Sequence, residues 1–344
     1  DLGASFVHRR MLRHRSETSI RRERSTGHVL AHYIGHTARM DTPHDPFGYL
    51  GPVGAWSGRL QRRPTGQAIE MCEELGELGY QTVWVPESPS GKNVLTFAAV
   101  LLGGTSHVNV ATGIAITWVR DAVAMINASR TLGDAYPGRF VLGVGISHQS
   151  TAEGRGHLYE KPLNAMRAYL DKMRDAAFDG GALEWTPPTI VAALGPKMLA
   201  VSGAYADGAH SFLTTPEHTA GAREVLGADK LLAVEQGVVL LDGGLDAREG
   251  RDRARVNLLR FLAWPNYRNH LKRLGFNDAD FEGKCSDRLI DALYVIGDEE
   301  AVGRRIGAHR DAGADHVCLQ VIGGSDDDEL EAFRRLAPQT QSGT

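Results

Sequence analysis

A chain of 344 residues, 42% hydrophobic, has room for one large α/β domain or two smaller ones, and its 40 glycines exceed ordinary usage. It has no run of about 18 apolar residues, which excludes a transmembrane helix. Cys72, Cys285 and Cys318 stand too far apart for a disulfide framework or a zinc site, as suits a reducing cytoplasm. The net charge of −4 divides into a basic segment over residues 1–40 (eight arginines against Asp1, Glu17 and Glu23) and an acidic remainder, which argues against a nucleic-acid binder.

Residues 1–45 lack hydrophobic periodicity and are read as a tail, either disordered or lying upstream of a start at Met40. His32 and His36 have the spacing of a helical metal pair, but within such a tail the spacing is read as chance. From residue 51 a unit recurs in which an amphipathic helix ends at a glycine and a β-rich run follows. Leu78-Gly79-Tyr80 leads into Thr82–Val85, Tyr136-Pro137-Gly138 into Phe140–Leu142, Asp207-Gly208 into Ser211–Leu213, and Ala312-Gly313-Ala314 into Val317–Leu319. Glycine ends a helix in the left-handed conformation without a Cβ penalty, so the glycine excess is largely punctuation.

Eight β-rich runs are predicted, at 52–56, 82–86, 108–116, 139–146, 189–193, 210–214, 235–241 and 316–322. They are continuous rather than alternating, as in parallel strands buried on both faces. Helices are predicted from Thr65, over 161–178 and over 298–312, the last capped by Asp298. Three more, near 246–260, 263–274 and 286–293, fill the gap before the last strand. The pattern predicts one α/β domain over 46–338, a (β/α)8 TIM barrel with an insertion between strands seven and eight, and a short tail at 339–344.

In such a barrel the chemistry sits at the C-terminal strand ends. Few groups there can ionise, chiefly Glu87 and His148, with Arg120 just beyond. There is no metal-binding H-x-H after the first strand and no Schiff-base lysine. So apolar a site suits a bound organic cofactor that carries the hard chemistry. Gly143-Val144-Gly145 lacks the third glycine of a dinucleotide fingerprint and is read instead as letting a flat ligand approach closely. Leu194-Gly195-Pro196 opens a helix whose free amides suit phosphate, and Thr214-Thr215-Pro216 opens the next.

At these residues the sequence resembles the luciferase-like monooxygenase superfamily, and within it actinobacterial F420-dependent oxidoreductases. The carrying motifs are Gly54-Ala55-Trp56, Trp84-Val85-Pro86-Glu87-Ser88, Ala111-Thr112-Gly113-Ile114, Gly138 to His148, Ala193 to Leu199 and Pro265-Asn266-Tyr267. The resemblance implies hydride transfer between coenzyme F420 and a small organic substrate. It implies a non-proline cis peptide at Gly113–Ile114 and a cofactor cradle of Ser88, Thr112, Gly113, Ile114, Gly143, Gly145 and Ser147. Its phosphate end maps onto Leu194, Gly195, Pro196, Thr214 and Thr215. His148 or Glu87 is expected to manage the proton, with Trp56, Trp118, Asn266 and Tyr267 toward the substrate. An FMN-dependent monooxygenase and a non-catalytic cofactor-binding barrel are the alternatives. No metal, nucleic acid or membrane partner is expected, and a homodimer through barrel helices is compatible with the resemblance.

Overall fold

The strands are β1 (Val53–Trp56), β2 (Thr82–Val85), β3 (Asn109–Thr112), β4 (Ala115–Ile116), β5 (Phe140–Gly145), β6 (Thr189–Ala192), β7 (Gly208–Ser211), β8 (Leu231–Leu240), β9 (Tyr294–Gly297) and β10 (His316–Val321). All pair in parallel, in the order β1-β2-β3-β5-β6-β7-β8-β10, and β10 returns to β1, which closes the expected (β/α)8 barrel. The computed structural model describes residues 47–341 apart from 160 and 242–243, with side chains to 337. The expected N-terminal tail, His32 and His36 included, lies outside the described residues.

The helices run as α1 (Thr65–Glu77), α2 (Val94–Gly104), α3 (Ala122–Ala135), α4 (Gln149–Glu153), α5 (Pro162–Arg174), α6 (Pro196–Tyr205) and α7 (Pro216–Leu226). The insertion carries α8 (Ala247–Leu262), α9 (Pro265–Arg273), α10 (Asp278–Phe281) and α11 (Asp287–Leu293), and α12 (Glu299–Asp311) and α13 (Asp326–Gln341) flank the last strand. Side chains at their starts take up the free amides: Asp121 accepts from Ala124 N at 3.0 Å, and Asp298 from Ala301 N at 2.9 Å. The three cysteines are free and buried.

The strands are apolar throughout because both faces are covered. Outward residues such as Val83, Val110 and Leu142 pack under the helices, and inward ones such as Ala111, Val141, Ile190 and Ala233 fill the barrel. Two histidines share that interior. Trp84 Nε1 donates to His316 Nε2 at 2.9 Å, and His316 Nδ1 lies 2.7 Å from the Gly51 carbonyl. His210 stacks on the same indole, with centroids 4.7 Å apart.

Several boundaries differ from the sequence reading. The run at 108–116 divides into β3 and β4, with the Gly113–Ile114 peptide cis, as the resemblance implies. The run at 210–214 lies instead at 208–211, because Leu213 turns to φ 53° and its N–H donates to Glu235 at 3.0 Å. Gly79, Gly138 and Gly313 take the left-handed conformation expected of helix ends, but Gly208 does not. A Cβ at Gly208 would lie 2.1 Å from the Leu231 carbonyl oxygen, so that glycine serves strand approach. β9 was not foreseen, since four apolar residues between two helices read like a helix end. It pairs Tyr294–Gly297 with Gly237–Leu240 of β8, on the edge that β7 occupies further down.

Candidate active site

A cavity of about 1030 Å³ opens at the C-terminal mouth of the barrel. Each barrel strand ends there by topology, so residues distant in sequence converge. Of the expected residues, Trp56 (end of β1), Glu87 and Ser88 (after β2), Gly113 and Ile114 (between β3 and β4) and Ser147 and His148 (after β5) line it. Leu194 and Gly195 line it from the start of α6, and Asn266 and Tyr267 from α9.

Other expected residues face elsewhere. Thr112 is fully buried and clips β3 to β5: its Oγ1 donates to the Gly143 carbonyl at 2.7 Å and accepts from Gly143 N at 2.8 Å. The glycines of β5 stand where the neighbouring chain leaves no room for a Cβ. A Cβ at Gly143 would lie 2.0 Å from Thr112 O, and one at Gly145 would lie 2.7 Å from Ile114 Cδ1. Pro196 is the first residue of α6 and supplies φ rather than an amide. Thr214 and Thr215 are buried away from the cavity, where Thr215 caps α7 by accepting from His218 N at 3.4 Å. Trp118 lines a separate hollow of about 590 Å³ beside α3 and α5, within 5.5 Å of the His157 ring.

Glu87 is held in an ion pair. Its carboxylate pairs with the Arg120 guanidinium, accepts from Ile116 N at 2.7 Å, and is almost wholly buried. Both oxygens are therefore spent on fixing the β3–β4 segment and the chain that follows it. His148 is placed differently. It stacks on Trp264, with centroids 3.7 Å apart and planes within 6°, and Tyr267 lies 5.8 Å away. Burial pushes its pKa down to about 4, the Asn266 side chain opposing weakly, so the ring is neutral near pH 7. Tyr159, from the polar loop after α4, donates to the Ser147 carbonyl at 3.3 Å and lines the same wall.

Sequence reasoning missed a charge feature. Arg62, Arg260 and Arg273 line the cavity, and among the described residues none has a carboxylate partner. Arg273 ends α9 and reaches over the start of α6, since a Cβ at Gly195 would lie 3.3 Å from its guanidinium nitrogen. A helix N-terminus and an unpaired guanidinium thus converge at one end of the cavity, as an anionic group requires. The other end is apolar and aromatic, with Trp56 and Phe212 packed at 5.5 Å beside Ile114. Trp264, His210 and Phe212 were also missed. Two of these, His210 near the end of β7 and Phe212 just beyond it, lie within the predicted run at 210–214, where alternation alone would have pointed them inward.

No helix among the described residues is long and apolar enough to cross a membrane. The comparisons with known proteins agree with this architecture. A 5,10-methylenetetrahydromethanopterin reductase of Methanolobus tindarius is 22% identical over 287 residues, covering 72% of this chain and 86% of the relative. The structure of an F420-dependent secondary alcohol dehydrogenase in complex with an F420-acetone adduct superposes with a TM-score of 0.64 at 17% identity, covering 84% of this chain and 99% of that one. The oxygenating constituent of the 3,6-diketocamphane monooxygenase from Pseudomonas putida, in complex with FMN, gives 0.62 at 16% identity, covering 84% and 96%. The sequence profile of the luciferase-like monooxygenases matches residues 46–316. With the closed barrel and its C-terminal cavity, that match establishes that the chain belongs to the luciferase-like monooxygenase family, a family of oxidoreductases.

Proposed function

We propose that this protein is an F420-dependent oxidoreductase that moves a hydride between the deazaflavin and a small organic substrate. The observation that carries this reading is the two-ended cavity. Gly195 at the start of α6 and the unpaired Arg273 form an anion-binding end, and Trp56, Ile114 and Phe212 form a slot for a flat ring. Bound there, F420 supplies the hydride chemistry. The protein's own part is to bind, to orient and to handle the proton.

Arg273 and the first amides of α6 hold the phosphate end of the cofactor. Trp56, Ile114 and Phe212 exclude water from its ring. His148 stands on the substrate side with Asn266 and Tyr267, and its neutral imidazole accepts a proton when a hydroxyl is oxidised and returns it in the reverse direction. Glu87 positions the cradle through Arg120 and the Ile116 amide. The acidic body of the chain gives no general attraction for a polyanion, so affinity rests on these local groups.

A second reading, an FMN-dependent monooxygenase, is supported by the likeness to the FMN complex from Pseudomonas putida. Fluorescence titration of the purified protein with F420 and with FMN separates the two. Saturable binding of F420 is the expected result, and binding of FMN alone would overturn the first reading.

A further inference from the structure

The cavity carries more positive charge than one anion-binding end accounts for. Glu87 is the single carboxylate on its wall among the described residues, and Arg120 neutralises it. Arg62, Arg260 and Arg273 remain, and no hydrogen bond or ion pair within the described residues holds any of their guanidinium groups. Like charges left around one cavity repel each other unless anions enter it. Arg273 belongs with Gly195. Arg260 stands elsewhere. It lies on the last turn of α8, four residues before Trp264, whereas Arg273 lies at the far tip of α9, about 13 Å from Trp264. Arg260 therefore serves the Trp264 end, where His148 is stacked.

Asn257, Arg260, Phe261 and Trp264 all line the cavity. Their spacing puts the first three on one side of α8, with Trp264 just beyond its end, while Ala254, Leu258 and Leu262 face the core. Phe261 fixes that side, its ring lying 5.1 Å from Phe212 and 5.3 Å from Tyr267. Asn257 is also oriented. The buried Tyr294 hydroxyl donates to its Oδ1 at 2.8 Å, so the donors of its Nδ2 are what the amide has left to offer. One turn further on, Arg260 is exposed and presents a planar fork of N–H groups. Two neighbouring groups that donate, one of them charged, match a carboxylate, whose oxygens accept.

We propose that Arg260 and Asn257 hold a carboxylate of the substrate, which makes the substrate an organic acid whose reacting carbon is presented to His148. This rests on the oxidoreductase reading above and deepens it by naming the substrate class. Arg260 and Asn257 are on this view specificity-determining residues that meet the substrate's charge and take no part in moving its proton. The carboxylate at Arg260 and the cofactor phosphate at Arg273 occupy opposite ends of the cavity, so both are held at once.

The test follows the Arg260 Nε–Hε signal in ¹⁵N spectra of arginine-labelled protein, identified by its loss in Arg260→Gln. Two acids of different length, mandelate and 6-hydroxyhexanoate, are titrated beside their uncharged methyl esters, into the protein alone and into protein saturated with F420. At least one acid should move the signal saturably in both states, and its ester should not. Arg260→Gln and Asn257→Asp should each weaken that acid about tenfold and leave the ester unchanged, the scale of one charge-assisted hydrogen bond. Asn257→Asp keeps the acceptor for Tyr294 and adds only a negative charge, and Arg260→Lys should recover part of the loss. A signal that moves on addition of F420 and then answers neither acid assigns Arg260 to the cofactor and overturns the proposal. So does a signal that neither acid moves in either state, or a folded Arg260→Gln that binds the acid as tightly as wild type. A wild type that takes up an acid at Arg260 but does not bind F420 leaves the carboxylate site standing and overturns the cofactor reading.

Discussion

The imidazole of His148 lies flat on the indole of Trp264, 3.7 Å away, and so ties the loop after β5 to the start of α9 across the cavity mouth. Trp264→Ala removes that support and lets water reach the ring. The expected outcome is a rise of His148's pKa from about 4 toward its ordinary value near 6.5, followed by imidazole proton shifts in an NMR titration. In the wild type, rate against pH should stay flat from about pH 6 to 8 as far as His148 is concerned and fall only toward its depressed pKa. A wild-type inflection near 6.5 that vanishes in His148→Gln would contradict this placement.

Glu87 and Arg120 form a nearly dry ion pair in which the carboxylate also holds the Ile116 amide. Glu87→Gln leaves the guanidinium without its counter-charge, and breaking such a pair from one side costs about 3 kcal/mol. Thermal melting should therefore drop by several degrees. If F420 affinity is lost while the melting temperature is unchanged, Glu87 touches the ligand and the structural account is wrong.

Arg273→Ala should weaken F420 about tenfold or more while leaving melting of the ligand-free protein nearly unchanged, since among the described residues the guanidinium has no carboxylate partner. The wild-type affinity should fall with added salt more steeply than that of the variant. Equal salt slopes would remove Arg273 from the anion end.

Buried histidines give the fold a pH signature. Burial pushes His210 and His316 down to about 4 and His270 and His309 down to about 3. Unfolded, each would titrate near 6.5, so below that pH the unfolded chain binds protons that the native state refuses, and stability falls as pH drops toward 4. At pH 5 the loss is on the order of 1–2 kcal/mol per histidine. Glu235 acts in the opposite sense. Burial raises it to about 8, so the native carboxyl stays protonated while the unfolded one ionises, and stability declines as pH rises from about 4.5 to 8. Between about pH 4.5 and 6.5 the four histidines outweigh the single carboxyl, so urea unfolding should show a maximum at about pH 7, and Glu235→Gln should flatten the alkaline side. A free energy of unfolding equal at pH 5 and pH 7 would refute the histidine argument.

The barrel was legible because its grammar is local. Runs such as Phe140–Val144 are apolar at every position, and amphipathic helices closed by Gly79, Gly138 and Gly313 separate them. The strand ends then followed from topology, which is why Trp56, Ser88, His148 and Gly195 fell together. What was not legible depended on neighbours far along the chain. Gly143 reads the same whether it faces a ligand or the Thr112 carbonyl, and only the inter-strand approach decides. Arg273 closes an insertion helix whose rotation over the mouth is set by packing of Tyr267, Leu271 and Phe276 and not by any motif. His210 stands at the first position of the predicted run at 210–214, yet nothing local says that one of its nitrogens is left unpaired.

One short helix bears on both ends of the site. Trp264 immediately precedes α9 and Arg273 ends it, so the aromatic cover over His148 and the cation over Gly195 sit at opposite tips of a single rod about 13 Å long. One element therefore sets the position of both groups. On the proposed reading, the residue that holds the cofactor's charged end and the residue that covers His148 share a single seat on the barrel, and any change in how α9 packs reaches both.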